Sequence, residues 1–226
     1  MPLQNRVTPE GEIIATEARG TMMGNRGGCL HGPDKTLGRR RWVTRQWICC
    51  ELEFRGRRRE VMAPGHYTEL FFLDEATALA VGHRPCFECR RSDALRFASL
   101  WAQAEGLAER ARAPHMDGIL HQQRIWPDGT KRTVEVRLGE LPDGSIVRFE
   151  GNPHSLAGRR AQTLDSGWLS GGRESRRRYH RPSADPTRYR RGLAIGLPPA
   201  HSPIGWFGWL NRLSRKRSVL SCWLRS

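Results

Sequence analysis

Phe71-Phe72-Leu73-Asp74-Glu75-Ala76-Thr77-Ala78-Leu79-Ala80-Val81-Gly82-His83-Arg84-Pro85-Cys86-Phe87-Glu88-Cys89 is the stretch that organises this 226-residue chain. Its start is apolar and strand-like. Asp74 is a good N-cap for the Ala-rich run that follows, and Gly82 suits a left-handed helix stop. Cys86 and Cys89 then form a Cys-x-x-Cys pair, in which two intervening residues let both thiolates reach one tetrahedral ion from a tight turn. A second helix is expected from Ser92, with Leu95, Phe97, Leu100 and Trp101 at helical spacing. The pair therefore sits in a knuckle between two helices.

Working outward, Glu12 to Thr16 and Tyr67 to Leu73 read as strands, and Met22 to His31 as a glycine-rich loop. The strongest strand pattern is Trp42 to Phe54, turned by Gly56 so that Glu60 to Ala63 can pair back as a hairpin. Downstream, Pro114 to Gln123 has a helical apolar face in Met116, Ile119 and Leu120. Thr133 to Leu138 alternates like a strand, and Pro142-Asp143-Gly144 turns into Ser145 to Phe149. The expected fold is α+β: a small antiparallel sheet with two or three helices in one domain over residues 1–158.

The net charge is +15, which points to a polyanion partner. Residues 1–158 carry 23 Lys+Arg against 20 Asp+Glu, or +3, whereas residues 159–226 carry 15 against 3, or +12. In the latter span only Lys216 is lysine, and the hydrophobic pattern dissolves. Arginine so dominant, with scattered Pro, Gly and Trp, is what GC-rich coding sequence yields when read out of frame. Residues 159–226 are expected to be an Arg-rich, low-order tail: either out-of-frame translation or a genuine basic tail for nucleic acid or an anionic surface. No signal-peptide pattern or membrane-spanning apolar run stands out, so a cytoplasmic, reducing location is expected. Six cysteines there read as metal ligands or buried thiols rather than disulfides.

A zinc site wants four ligands. Cys86 and Cys89 supply two. Cys49 and Cys50 are adjacent on an expected strand, so their side chains point to opposite faces. Cys50 shares parity with Ile48, Leu52 and Phe54, which marks the core face and a buried thiol. Cys49 is therefore the expected third ligand. Cys29, His31 and His66 are further options, His83 is expected to face away, and Cys222 lies in the suspect tail. Arg57, Arg58, Arg84, Arg90 and Arg91 cluster around the knuckle and an adjacent turn, where they could meet phosphates. Arg39-Arg40-Arg41 with Trp42 and Trp47 is a second basic, aromatic stretch. Gly24-Asn25-Arg26-Gly27-Gly28 could cradle a phosphate, but it lacks the ending of a P-loop and reads more simply as a flexible loop. No Ser-His-Asp order or paired-carboxylate motif stands out.

Residues 71–90 resemble the C-terminal half of the Ada-type metal-binding domain: an Ala-rich helix, Gly, then Arg-Pro-Cys-x-x-Cys-Arg. His83 stands where that family has an aromatic, and Arg91 where a Pro is usual. The resemblance implies zinc on Cys86 and Cys89 and contact with DNA. It also implies an upstream methyl-accepting thiol, for which Cys49 is the candidate, but the family's upstream Cys-x3-Cys is absent. The expected function is a zinc-binding, non-catalytic protein contacting nucleic acid, with no membrane and no defined small-molecule substrate. The alternatives are a methyl-acceptor or nuclease-like enzyme working at Cys49 or near His31 and His66, and a metal-free interaction protein with a vestigial knuckle.

Overall fold

The computed structural model describes residues 1–58, 60–136, 141, 144–149, 152–157, 160–163 and 192–196. The first sheet is formed by β1 (Gln4–Val7), β2 (Ile13–Ala15), β3 (Met22–Asn25), β4 (Ile48–Cys50), β5 (Leu70–Phe72) and β6 (Arg84–Pro85). Its order is β2-β1-β5-β3-β4-β6. The helices are α1 (Glu75–Ala80), α2 (Arg91–Glu105) and α3 (Ala113–Arg124). A second sheet joins β7 (Val134–Val136), β8 (Ile146–Phe149), β9 (Asn152–Ala157), β10 (Arg160–Thr163) and β11 (Gly192–Gly196) in the order β10-β9-β8-β11-β7. The fold is α+β.

The first sheet is mixed rather than antiparallel, because β1 runs parallel to β5 and β4 parallel to β6. The long strand expected over Trp42 to Phe54 shrinks to Ile48–Cys50. Its first half instead wraps the loop after β3, where the Val43 and Thr44 N–H groups both donate to Arg26 O. Its second half turns through Arg55 and Gly56, both at positive φ. The glycine-rich stretch from Met22 opens as β3, which pairs with both β4 and β5. The expected boundary at 158 falls between the antiparallel partners β9 and β10, and β11 pairs with β7 and β8. The rest of the expected tail, Cys222 included, lies outside the described residues.

α1 is the hub of the interior. Asp74 Oδ1 accepts from Thr77 N–H at 2.8 Å and caps the helix as its sequence predicts. Ala78 and Val81 pack on the sheet with Val7, Leu70 and Phe72. Leu79 joins Phe97, Trp101, Met116 and Leu120 from α2 and α3, and Ala80 meets Ile146 of the second sheet. Small residues let all three layers approach one short helix. Each fully buried Leu or Phe contributes about 1.5–3 kcal/mol.

His83 is 1% exposed, with its ring 4.6 Å from that of Phe72 and 5.1 Å from that of Trp47. Among the described residues neither ring nitrogen has a hydrogen-bond partner. Burial, then the charges of Arg26, Arg124 and Lys131, hold its pKa well below 6.5. Below about pH 6.5 the unfolded chain takes up a proton that the folded imidazole refuses, so stability present above that pH is lost as pH falls. His83→Phe is expected to stabilise the fold by about 1–3 kcal/mol at neutral pH by removing unpaired polar atoms. It should also remove about 2 kcal/mol of acid sensitivity between pH 7.5 and pH 5. Urea titrations at the two pH values measure both effects, and a variant as acid-sensitive as wild type would refute the assignment.

Candidate metal centre

The knuckle is brought to β4 by main-chain pairing. Arg84 N–H donates to Trp47 O at 3.1 Å and Cys86 N–H to Cys49 O at 2.9 Å. This places Cys86 beside the end of β4. Arg90 N–H closes the Cys-x-x-Cys turn onto Cys86 O at 3.0 Å, and Glu88 N–H points at Cys86 Sγ at 3.4 Å. The result is a group of three sulfurs, those of Cys50, Cys86 and Cys89, all within 4.8 Å of one another. A tetrahedral zinc with bonds of about 2.3 Å sets its sulfurs about 3.8 Å apart, so small movements would close the triangle on an ion.

The third sulfur is that of Cys50, which corrects the expectation of Cys49. The two thiols do point to opposite faces, but β4 ends at Cys50, so Leu52 and Phe54 no longer share its pleat and cannot mark a core face. Leu52 is in fact 46% exposed. Cys49 packs in the α1-covered core with Leu30, Leu70 and Phe72. Cys50 lies on the other face with Met23, Cys86 and Cys89. Burial pushes the Cys49 thiol up to about 12 despite the Arg90 guanidinium 3.6 Å from its sulfur. A fully buried, protonated thiol is a poor methyl acceptor.

Within the group, the Cys50 thiol donates toward Cys86 and pulls the Cys86 pKa down to about 5, with the Cys89 and Glu88 N–H groups assisting. The same bond raises Cys50, and burial raises Cys89. A negative charge therefore settles first on Cys86, the central sulfur of the knuckle. All three line a cleft of about 590 Å³, whose walls include Glu51, Phe54, Arg58 and His66.

The other expected residues are dispersed. His66 is exposed on the cleft wall, outside the three-sulfur group. Cys29 Sγ donates to His31 O at 3.2 Å, and the His31 ring is engaged by Thr68 Oγ1 at 2.6 Å and Ala63 O at 3.2 Å. Gly27 and Gly28 make no open phosphate cradle, because Thr44 and Val43 fill the space beside their α-carbons. His115 and His121 lie on α3, where each ring packs edge-on against a tryptophan.

Two of the five arginines expected to meet phosphates face inward, which corrects their assignment. Arg84 is 1% exposed and makes a bidentate pair with Asp117, both bonds 2.8 Å. Arg90 is buried between Glu75 and Asp93. Arg57 pairs with Glu88 at 2.7 Å, while Arg58 and Arg91 are exposed. Nothing in the sequence separates an arginine that tethers a helix from one that waits for a ligand. For Arg84 the signal lay in a distant acid, Asp117, whereas Arg90 has Asp93 only three residues on.

No helix among the described residues is long and apolar enough to cross a membrane. No family model, curated protein or solved structure matches this chain.

Proposed function

We propose that this chain is a zinc-binding, non-catalytic protein that contacts nucleic acid, with zinc held by Cys50, Cys86 and Cys89. The observation that carries the reading is the convergence of three sulfurs from β4 and the knuckle within 4.8 Å. Three soft thiolates suit zinc far better than calcium or magnesium. Among the described residues no further His, Cys, Asp or Glu belongs to the group, so water or a ligand in the cleft completes the tetrahedron. The ion would clamp the knuckle to β4 and so fix the approach of α2. Kinship of residues 71–90 with the Ada-type domain belongs to this proposal, for the knuckle alone. The nucleic-acid half is supported by exposed arginines such as Arg58 and Arg91 and by the likeness of residues 71–90 to that domain, not by the net charge, most of which lies in residues 159–226.

Metal analysis of the purified chain tests the zinc half. One zinc per chain is expected. Cys50→Ser and Cys86→Ser should each weaken zinc by more than the roughly 10–100-fold typical of outer-shell changes. Cys49→Ser should keep full stoichiometry. Zinc retained by Cys50→Ser and lost from Cys49→Ser would overturn the ligand set, and wild-type protein free of bound zinc would overturn the metal.

A further inference from the structure

We infer that a basic, indole-bearing face built from residues 39–45 and the turn after α3 is the docking surface for single-stranded nucleic acid. The inference rests on the nucleic-acid half of the function proposed above and moves the contact away from the knuckle. None of the residues that carry it lines the cleft of the three sulfurs.

The face is contiguous. Arg26 Nη1 donates to Arg41 O at 3.3 Å, and Arg124 at the end of α3 donates to Arg45 O at 2.5 Å. Trp42 packs edge-on against His121 of α3, centroids 5.6 Å apart. The turn after α3 is closed by Trp126 N–H to Thr130 O at 2.8 Å. Its Gly129 lies so close to Trp42 that a β-carbon there would sit 3.0 Å from the indole. Trp42 and the Trp126 turn therefore share one surface.

Its chemistry is one-sided. Arg39, Arg40, Arg41 and Arg45 are exposed. Trp126 is 38% exposed, with the Arg132 guanidinium 4.0 Å from its ring. The acid of the turn, Asp128, is engaged by Thr130 through its N–H and hydroxyl. Beneath the loop, Trp47 carries the guanidinium groups of Arg26 at 4.2 Å and Arg124 at 4.0 Å. These two cations and Lys131 direct hydrogen bonds to the main-chain carbonyls of Arg41, Gly11, Gly82, Arg45 and Ala80. None of the three has a carboxylate ion pair among the described residues. Burial, with the charge of Arg41 behind it for Arg26 and that of Arg26 for Arg124, lowers both to about 9, and burial with Arg124 and Arg26 lowers Lys131 to about 7. Arg26 and Arg124 thus stay charged at neutral pH behind the loop, with Asp117 acting on Arg124 only from beyond ion-pair distance.

Exposed arginines beside an open indole favour a ligand with both phosphates and free aromatic faces. Single strands offer both, because each base has a π-face that can stack on an indole while phosphates meet guanidinium groups. A duplex hides those faces in its own stack.

The test uses the full chain, a fluorescein-labelled oligothymidylate and a salt series. Residues 159–226 would attract any polyanion, so every variant retains them and only differences are read. Trp126→Ala is expected to weaken binding about 5–150-fold, and Trp126→Phe to restore most of it. Arg40→Glu with Arg45→Glu should reduce the salt slope by about 0.7 per lost phosphate contact. Substituting 5-iododeoxyuridine should produce photocross-links at Trp42 or Trp126. Unchanged affinity in Trp126→Ala, cross-links confined to other segments, duplex bound as tightly as single strands, or anionic vesicles preferred over oligonucleotide would each overturn the proposal. Loss confined to Arg58→Glu with Arg91→Glu would preserve the nucleic-acid reading and overturn this face. Wild type that binds no oligonucleotide would overturn both, while zinc content is scored separately.

Discussion

Asp117→Ala is expected to destabilise the folded protein by about 3–5 kcal/mol, the range for breaking a buried ion pair by removing one partner. The Arg84 and Asp117 side chains are 2% and 8% exposed, and the pair is bidentate. Without Asp117, Arg84 would be left charged in the interior, and Arg124 would lose the carboxylate that raises its pKa. For a chain of this length the change corresponds to a drop in Tm of about 10 °C. The bridge also has a positional role. Arg84 opens β6, two residues before Cys86, so its tether to α3 helps hold the knuckle against β4. Pairing Arg84→Met with Asp117→Leu should recover most of the loss, because an apolar pair of similar volume leaves no uncompensated charge. Calorimetry of the single and double variants decides this, and a single variant within about 1 kcal/mol of wild type would reject it.

Gly24→Ala should be comparably damaging for a different reason. A β-carbon there would lie 2.1 Å from Ile48 O and 2.9 Å from Phe72 Cε2. The first contact is with backbone, which no rotamer change relieves, and overpacking of this kind costs about 1–3 kcal/mol or more. The damage should reach the metal centre. Gly24 pairs with Cys49 and Met23 with Cys50, so forcing β3 and β4 apart moves the Cys50 sulfur from the knuckle. Both Tm and zinc affinity are expected to fall. Gly118→Ala is the counterpart: nothing among the described residues lies within 4 Å of its would-be β-carbon, and replacing glycine inside α3 should stabilise by about 1 kcal/mol. Equal melting of Gly24→Ala and wild type would show that the strands tolerate the spacing.

The elements read most directly from sequence were those whose signals are local. Asp74 caps α1, Gly82 at positive φ follows its end, and Pro114 sits in the first turn of α3. β3 was hidden because Gly24 reads as a loop residue. It is glycine because β4, more than twenty residues away, brings a carbonyl against it. The strand pattern at Trp42 to Phe54 was over-read for the converse reason: alternation there serves a loop around Arg26 and a short strand.

The sequence by itself determined the knuckle, the helices around it and the fact that Cys49 and Cys50 face opposite ways. Backbone pleat and capping bonds act within a few residues and leave a local trace. Which of the two thiols meets Cys86, and that Arg84 is spent on Asp117 and Arg90 on Glu75, was decided only by tertiary structure. Those outcomes depend on which face of β4 α1 covers and on acids far along the chain, and neither leaves a mark in the neighbouring residues.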